Sequence, residues 1–236
     1  MSNKPSKITD AEIAALKENA IFAERGMTHF SARFLVVGGL MTTDKLRAVA
    51  AIADRYGDGT VHFTTRQGVE IPHIPYAKLD KMRTAVAKLP LEPARSGKCV
   101  RAIVACPGTY CKLGNIDTQK LATVLFKKFG KRGKLPHKFK IAVCGCKHCC
   151  SKPHENDLGV MGIATGFVVF VGGMAGETPR WGDKLPFVVS TERKLLTVIK
   201  KIIDWYAANG NDKERFGTTI KRIGLSNLLE ETEFAP

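Results

Sequence analysis

The sequence lacks the features that mark secreted, membrane-spanning and common nucleic-acid-binding proteins. Its first residues are polar and charged, without the apolar segment of a secretory signal, so we expect a cytoplasmic protein. It has no long Lys/Arg run, RNP-like aromatic strand or helix-turn-helix signature, so its net charge of +15 does not by itself indicate nucleic acid. No internal repeat is visible, and 236 residues suffice for one large domain or two small ones.

One uncharged run, residues 158–176, is long enough to be considered as a membrane helix. Six glycines interrupt it, and Thr165-Gly166 separates two halves that are rich in β-branched and aromatic residues. This pattern predicts a buried β-hairpin rather than a helix in lipid.

The cysteines indicate a metal centre. Disulfides are rare in reducing compartments, so clustered thiols in a chain without a signal favour metal binding. A [4Fe–4S] cluster needs four thiolates, although Cys146-x-x-Cys149 alone also suits structural zinc. Six of the seven cysteines form two groups, Cys106 with Cys111, and Cys144 with Cys146, Cys149 and Cys150.

Hydrophobic periodicity predicts a β-α-β-β-α order in the first part of the chain, which is half of a ferredoxin-like sandwich. A capping box, Thr9-x-x-Glu12, opens an N-terminal helix. The predicted elements are a helix from Thr9 to about Phe22, a strand His29–Val37, a helix Thr43–Tyr56 burying Leu46, Val49, Ala50 and Ile52, strands Thr60–Thr64 and Val69–Ile74, and a helix Tyr76–Leu89.

The second part of the chain reads as alternating strands and helices around the cysteines. One strand runs directly into Cys106, and another leads into the second cysteine group. The predicted elements are a strand Val100–Ala105, a helix capped by Asp117 through Phe129, a strand Lys138–Val143, the hairpin, a short strand Phe187–Val189, a helix Glu192–Ala208 burying Leu195, Val198, Ile199, Ile202 and Trp205, and a polar helical tail over 212–236.

Two lysines alternate with a phenylalanine in Lys138-Phe139-Lys140. Residues two apart in a strand face the same side, so both ammonium groups can point into one cavity while Phe139 packs behind them. Lysine is a compact charge that binds an anion and can also release a proton when it is desolvated. The pattern indicates a bound anion close to the metal centre.

Four segments in this order resemble the sulfite/nitrite reductase haemoprotein family: Thr64–Gly68, Val100–Gly108, Leu135–Val143 and Gly145–Cys150. The resemblance covers roughly residues 30 to 225, and the single copy of the repeat is most like the small assimilatory-type sulfite reductases. That family carries sirohaem coupled to a [4Fe–4S] cluster through one shared cysteine thiolate. The resemblance therefore implies sirohaem and a [4Fe–4S] cluster as cofactors.

Position by position, the resemblance implies that Cys106, Cys111, Cys146 and Cys150 are the cluster ligands, and that Cys150 is the thiolate shared with sirohaem. The first pair here has C-x4-C spacing, whereas the large two-repeat relatives usually have C-x5-C. Because Cys149 is adjacent to Cys150, the register of the bridge is open by one residue.

The resemblance also implies roles for five cations. Lys138, Lys140 and Arg101 match family residues at the substrate, and Arg33 and Arg66 match arginines that hold sirohaem carboxylates or the substrate. The family's first strand commonly carries two arginines, of which only Arg33 is kept. One cation of the substrate site is therefore missing or supplied from elsewhere.

Together these features predict an α+β fold, with a ferredoxin-like half-domain followed by an α/β sirohaem and [4Fe–4S] binding domain. The expected boundaries are an N-terminal helical arm at 1–28, the half-domain at 29–90, and the cofactor domain with a C-terminal helical tail at 91–236. Two-repeat relatives cradle the cofactor between both halves, so this chain would close the pocket with its own N-terminal arm or with a second subunit, which makes a homo-oligomer possible.

The activity implied is six-electron reduction of sulfite to sulfide, with nitrite reduction to ammonia as the alternative on the same cofactors. No flavin or nicotinamide motif is present, so electrons would come from an acidic carrier protein such as ferredoxin or flavodoxin. A zinc-stabilised nucleic-acid-binding module is the alternative from another class, but we expect neither a nucleic acid nor a membrane as partner.

Overall fold

The predicted capping box at the N-terminus is present in the computed structural model, which describes residues 8–232. The Thr9 hydroxyl accepts the Glu12 N–H at 3.2 Å, and the Glu12 carboxylate accepts the Thr9 N–H at 2.8 Å. The helix ends at Glu18, however, because Ala20 adopts a left-handed conformation (φ 58°) and the chain then enters a strand. The predicted extension of the helix to Phe22 was wrong.

The chain divides into two units, one up to Ser96 except for Val37–Gly39, and the other made of Val37–Gly39 and the residues from Gly97 onward. The first is an antiparallel sheet of order β1-β2-β4-β3, with helices α2 and α3 packed on it. Its elements are α1 (Asp10–Glu18), β1 (Ile21–Ala23), β2 (His29–Phe34), α2 (Thr43–Tyr56), β3 (His62–Phe63), β4 (Val69–Pro75) and α3 (Leu79–Val86).

Helix α2 has the bounds that the periodicity predicted, but its buried face is rotated. Val49 and Ile52 are buried as expected, whereas Leu46 is 46% exposed and Ala50 is also exposed. The buried stripe continues to Tyr56, following the i, i+3, i+7 spacing of one helix face. The sequence predicted the bounds of the helix correctly, but it predicted only some of the residues that are buried.

The second unit is built on a five-stranded sheet of order β5-β6-β7-β8-β9. Its first three strands are parallel and its last three antiparallel. Helices α4 and α5 contribute to the same core as one face of this sheet. Its elements are β5 (Val104–Ala105), α4 (Thr118–Phe129), β6 (Ile141–Cys144), β7 (Leu158–Ile163), β8 (Gly166–Val171), β9 (Asp183–Lys184), α5 (Glu192–Asn209), α6 (Phe216–Ile223) and α7 (Leu225–Glu231).

The uncharged run forms the predicted hairpin, β7 paired with β8. Its turn is Ala164-Thr165, one residue earlier than expected, and Gly166 begins the second strand. Among the helices of residues 8–232, none has the length and apolar character needed to cross a bilayer.

The C-terminal helices contribute to the core of the second unit. The predicted apolar stripe of α5 is buried, from Leu195 to Trp205. Phe216, Ile220 and Leu228 are also buried, so the prediction of a polar tail was wrong for α6 and α7. The last residues of that predicted tail, 233–236, lie outside the described part of the chain.

Candidate metal centre and anion site

The two cysteine groups meet at one edge of the sheet. Cys106 directly follows β5, and Cys144 is the last residue of β6. Because β5 and β6 are parallel neighbours, their carboxyl ends lie side by side, and the Cys106 N–H donates to the Val143 carbonyl at 3.1 Å. Segments that are about forty residues apart in the chain are thus brought together.

Glycines allow the two cysteine loops to pack closely. The Gly145 N–H donates to Cys106 Sγ at 3.1 Å, and the Asn115 N–H donates to the Gly145 carbonyl at 2.8 Å. A side chain at Gly145 would stand 3.4 Å from the Cα atoms of both Gly108 and Gly114. The loop that carries Cys111 is therefore held against the loop that begins the second cysteine group.

Cys106 and Cys144 form a hydrogen-bonded thiol pair inside this edge. The Cys106 thiol donates to Cys144, which raises the pKa of Cys106 and lowers the pKa of Cys144 to about 5. Both side chains are buried. Their contact was missed by sequence reasoning, because it depends on the pairing of β5 with β6.

The remaining cysteines of the second group differ in how far they are exposed to solvent. Cys149 is half-buried, its Sγ lies 3.6 Å from Met161 Sδ, and burial raises its pKa to about 11. Cys150 is exposed, as is Cys111, while Cys146 is half-buried. Cys150 is thus more accessible to a cofactor than Cys149, which lies against Met161.

Within residues 8–232, no three His, Cys, Asp or Glu side chains are gathered closely enough to hold one metal ion. The structure thus joins Cys106 to the second group without converging Cys111, Cys146 and Cys150 on a single point. A [4Fe–4S] cluster binds each thiolate at a different iron, so its ligands are spread around it. Two packed loops that carry Cys106, Cys111, Cys146 and Cys150 among their cysteines fit that requirement.

We expect Gly114→Ala to weaken iron binding about tenfold or more, the effect of disturbing the residues that support metal ligands. Its Cβ would lie 2.2 Å from the Gly108 carbonyl oxygen and would push the two loops apart. Gly133→Ala is the matched control, since nothing lies within 4 Å of its Cβ. Iron and acid-labile sulfide per chain are the measurement, and equal contents in both variants would show that this packing is dispensable.

The predicted anion site lies just before β6. Phe139 is buried against Tyr206 and Phe216, at ring-centroid distances of 5.7 and 5.3 Å, while Lys138 and Lys140 are half-buried. Phe139 also bridges Val100 in parallel register, which places Arg101 opposite Lys140. The predicted alternation, with Phe139 buried between two half-buried lysines, is present, although the regular strand begins only at Ile141.

Four cations act electrostatically on the neighbouring His137. Burial lowers the pKa of His137, and Lys138, Arg215, Arg101 and Lys98 lower it further by repulsion. Lys98 is paired with Asp212 and Arg215 with Asp157, so part of this positive charge is neutralised within the protein. Sequence reasoning missed Arg215, because it lies in the segment that was predicted to be a polar tail.

The cations and cysteines lie near opposite ends of β6, since Lys140 precedes the strand and Cys144 ends it. The second cysteine loop then turns back, because the Ser151 hydroxyl donates to the Val143 carbonyl at 2.7 Å. Val143 is three residues from Lys140, which is about 10 Å along an extended chain. Cys150, next to Ser151, therefore lies near the carboxyl end of β6.

Arg33 and Arg66 belong to the first unit. Arg33 Nη2 lies 3.0 Å from Glu70 Oε1, and its guanidinium lies 4.7 Å from the Phe22 ring centroid. Its buried Nε has no hydrogen-bond partner among the described residues. Arg66 lies in the turn between β3 and β4, where the Thr64 hydroxyl accepts the Gly68 N–H at 2.9 Å.

A ferredoxin-like half-domain, followed by a mixed sheet with two packed cysteine loops at one edge, defines a class of iron–sulfur oxidoreductases. Residues 96–235 match the family model for the nitrite and sulphite reductase 4Fe-4S domain. Residues 23–89 match the nitrite/sulfite reductase ferredoxin-like half domain. The chain belongs to the nitrite and sulfite reductase family.

Individual relatives include enzymes for both substrates. The chain is 32% identical over 192 residues to the nitrite reductase [NAD(P)H] of Bacillus subtilis, covering 81% of this chain but only 23% of that protein. It is 28% identical over 194 residues to the assimilatory-type sulfite reductase of Nitratidesulfovibrio vulgaris, covering 81% of this chain and 87% of that protein.

The fold also matches solved structures. The NirA protein of Mycobacterium tuberculosis aligns with a TM-score of 0.82 and 18% identity, over 96% of this chain and 47% of that one. Dissimilatory sulfite reductase I aligns with a TM-score of 0.78 and 17% identity, over 88% of this chain and 70% of that one. These alignments confirm the fold class predicted from the sequence.

Proposed function

We propose that the protein reduces sulfite to sulfide on sirohaem coupled to a [4Fe–4S] cluster, with electrons from a separate carrier protein. The observation that carries this proposal is that one segment, residues 138–151, holds the two lysines just before β6 and the second cysteine loop at the carboxyl end of the same strand. We favour sulfite over nitrite as the substrate because a relative of similar length, 87% of which is covered by the alignment, is a sulfite reductase. Nitrite reduction to ammonia is the second candidate, supported by the 32% identical nitrite reductase.

The residues present fit the proposed cofactors. Cys106, Cys111, Cys146 and Cys150 would hold the cluster, and Cys150 would also bind the sirohaem iron. Arg33 and Arg66 would pair with sirohaem carboxylates, since burying a polyanion requires cations. The pair of cofactors supplies one-electron transfers to a bound oxyanion.

The protein's own side chains would bind the substrate and deliver protons. Lys138, Lys140 and Arg101 share one side of the chain before β6, so their charges can meet one oxyanion together. A half-buried lysine can also donate a proton and recover it from water. Reduction to sulfide consumes protons, so this second capacity has a use in the reaction.

An electron carrier would approach the cysteine loops. Residues 106–116 and 144–152 include Lys112, Lys147 and Lys152 and contain no Asp or Glu, while Tyr110 is 71% exposed. Such a surface complements an acidic ferredoxin or flavodoxin, as do many electron-transfer contacts. Reduced thiols and such a donor would place the protein in the cytoplasm.

The test is a spectrum and a product assay on protein made without oxygen in cells that supply sirohaem. We expect visible bands of an isobacteriochlorin and sulfide formed from sulfite with reduced ferredoxin. We also expect about five irons per chain, four from the cluster and one from sirohaem, and about four acid-labile sulfides. A higher kcat/KM for nitrite, with ammonia as product, would favour the second candidate. A colourless protein with stoichiometric zinc would overturn both.

A further inference from the structure

Asp157 is a carboxylate with no exposed surface beside the anion site. Its Oδ2 accepts the Lys140 N–H at 2.8 Å, and both of its oxygens accept Arg215 Nη2 at 2.9 Å. The next residue, Leu158, donates its N–H to the Lys140 carbonyl at 3.0 Å. Residues 157 and 158 therefore fix both the N–H and the carbonyl of Lys140.

Stability alone gives no clear reason for this charged pair. Burial raises the pKa of Asp157, while Arg215 and the Lys140 N–H act against that shift. A buried ion pair is on average no more stabilising than apolar residues of the same volume. The location of the Asp157–Arg215 pair is therefore considered as the reason for its presence.

The position of the pair is informative. The pairing of β6 with β7 begins at Ile141, one residue after Lys140. The N–H of Lys140 is therefore bound by the Asp157 side chain and not by the backbone of a neighbouring strand. Arg215 also acts electrostatically on His137, together with Lys138 and Arg101. The pair thus connects the backbone of Lys140 to the group of cations at the anion site.

We propose that Asp157 is a positioning residue for Lys140, and that Arg215 holds the Asp157 carboxylate in place. The inference rests on the proposed function, in which Lys140 binds the substrate anion. Asp157 itself does not touch the substrate. It fixes the point from which the Lys140 side chain reaches toward the anion.

The experiment uses the full chain with its cofactors and compares Asp157→Asn with Asp44→Asn. Asp44 forms an exposed ion pair with Arg47 on α2 and serves as the matched control. Two readouts are measured: sulfite KM and kcat per sirohaem, and the acetylation rate of Lys140 by mass spectrometry, with exposed Lys127 as internal reference.

We expect Asp157→Asn to lower kcat/KM for sulfite about tenfold, since a small misplacement of a positioning group has effects of that size or larger. The Lys140 acetylation rate should change about threefold or more, within the coupling range of contacting residues. In the Lys140→Ala background, Asp157→Asn should add no further loss of kcat/KM. The control should alter none of these values.

A purely structural role would lower cofactor content and the unfolding midpoint, yet leave kcat and KM per sirohaem unchanged; that result overturns the inference. If Asp157→Asn does not fold, Asp157→Asn with Arg215→Gln keeps an acceptor without a buried unpaired charge and is read in the same way. An unchanged Lys140 acetylation rate in the folded variant also overturns it. If the wild-type protein reduces no sulfite but Asp157→Asn still changes the acetylation rate of Lys140, the proposed function is overturned and the positioning of Lys140 by Asp157 is not.

Discussion

Cys150→Ser is expected to abolish the magnetic coupling between sirohaem and cluster, and with it all measurable sulfite reduction. Serine oxygen is a hard and weakly acidic donor, and it does not replace a thiolate that is shared by two iron centres. The exposed Cys150 is open to a cofactor, whereas its neighbour Cys149 lies against Met161. Electron paramagnetic resonance of the purified protein, with iron and sirohaem content, is the measurement.

Cys149→Ser is the matched control for this substitution. It alters the adjacent residue with the same change of atom, and we expect it to keep the coupling and most of the activity. The opposite pattern, with coupling kept in Cys150→Ser and lost in Cys149→Ser, would assign the bridge to Cys149.

Lys140→Ala is expected to keep both cofactors and to lose about 100-fold in kcat/KM for sulfite, the usual size of a positioned proton donor's contribution. The backbone of Lys140 is held by Asp157 and Leu158, so removing only the side chain leaves the local structure in place. Steady-state kinetics per sirohaem provide the measurement.

Lys127→Ala, at an exposed position of α4, is the control for that experiment and should behave as wild type. Turnover unchanged by Lys140→Ala would remove this lysine from the mechanism. An equal loss in both variants would point to the overall charge of the surface rather than to a specific site.

Strongly periodic segments could be predicted well from the sequence. The helices α2 and α4 have the expected bounds, because their caps, Thr42 and Asp117, and their apolar spacing indicate the same start and end. The end of α1 could not be predicted, since it depends on Ala20 in a left-handed conformation and on pairing with β2. The pairing of β1 with β2 outweighs the local preference of these residues for a helix.

The residues of the candidate site also fall into two groups, those that the sequence indicated and those that it did not. The cysteine groups and the Lys138–Lys140 pattern are local in the chain, so spacing alone indicated them. Asp157 and Arg215 are 58 residues apart, and their contact arises only when α6 packs near the start of β7. An aspartate and an arginine without a motif give no local signal of that pairing.

The burial of Phe139 against Tyr206 and Phe216 has a consequence for biosynthesis. The aromatic support beneath the lysine segment comes from α5 and from the start of α6, which follow both cysteine loops in the chain. The cysteines of both loops therefore leave the ribosome before that support exists. The lysine segment can take its final packing only after α5 and the start of α6 have been synthesised.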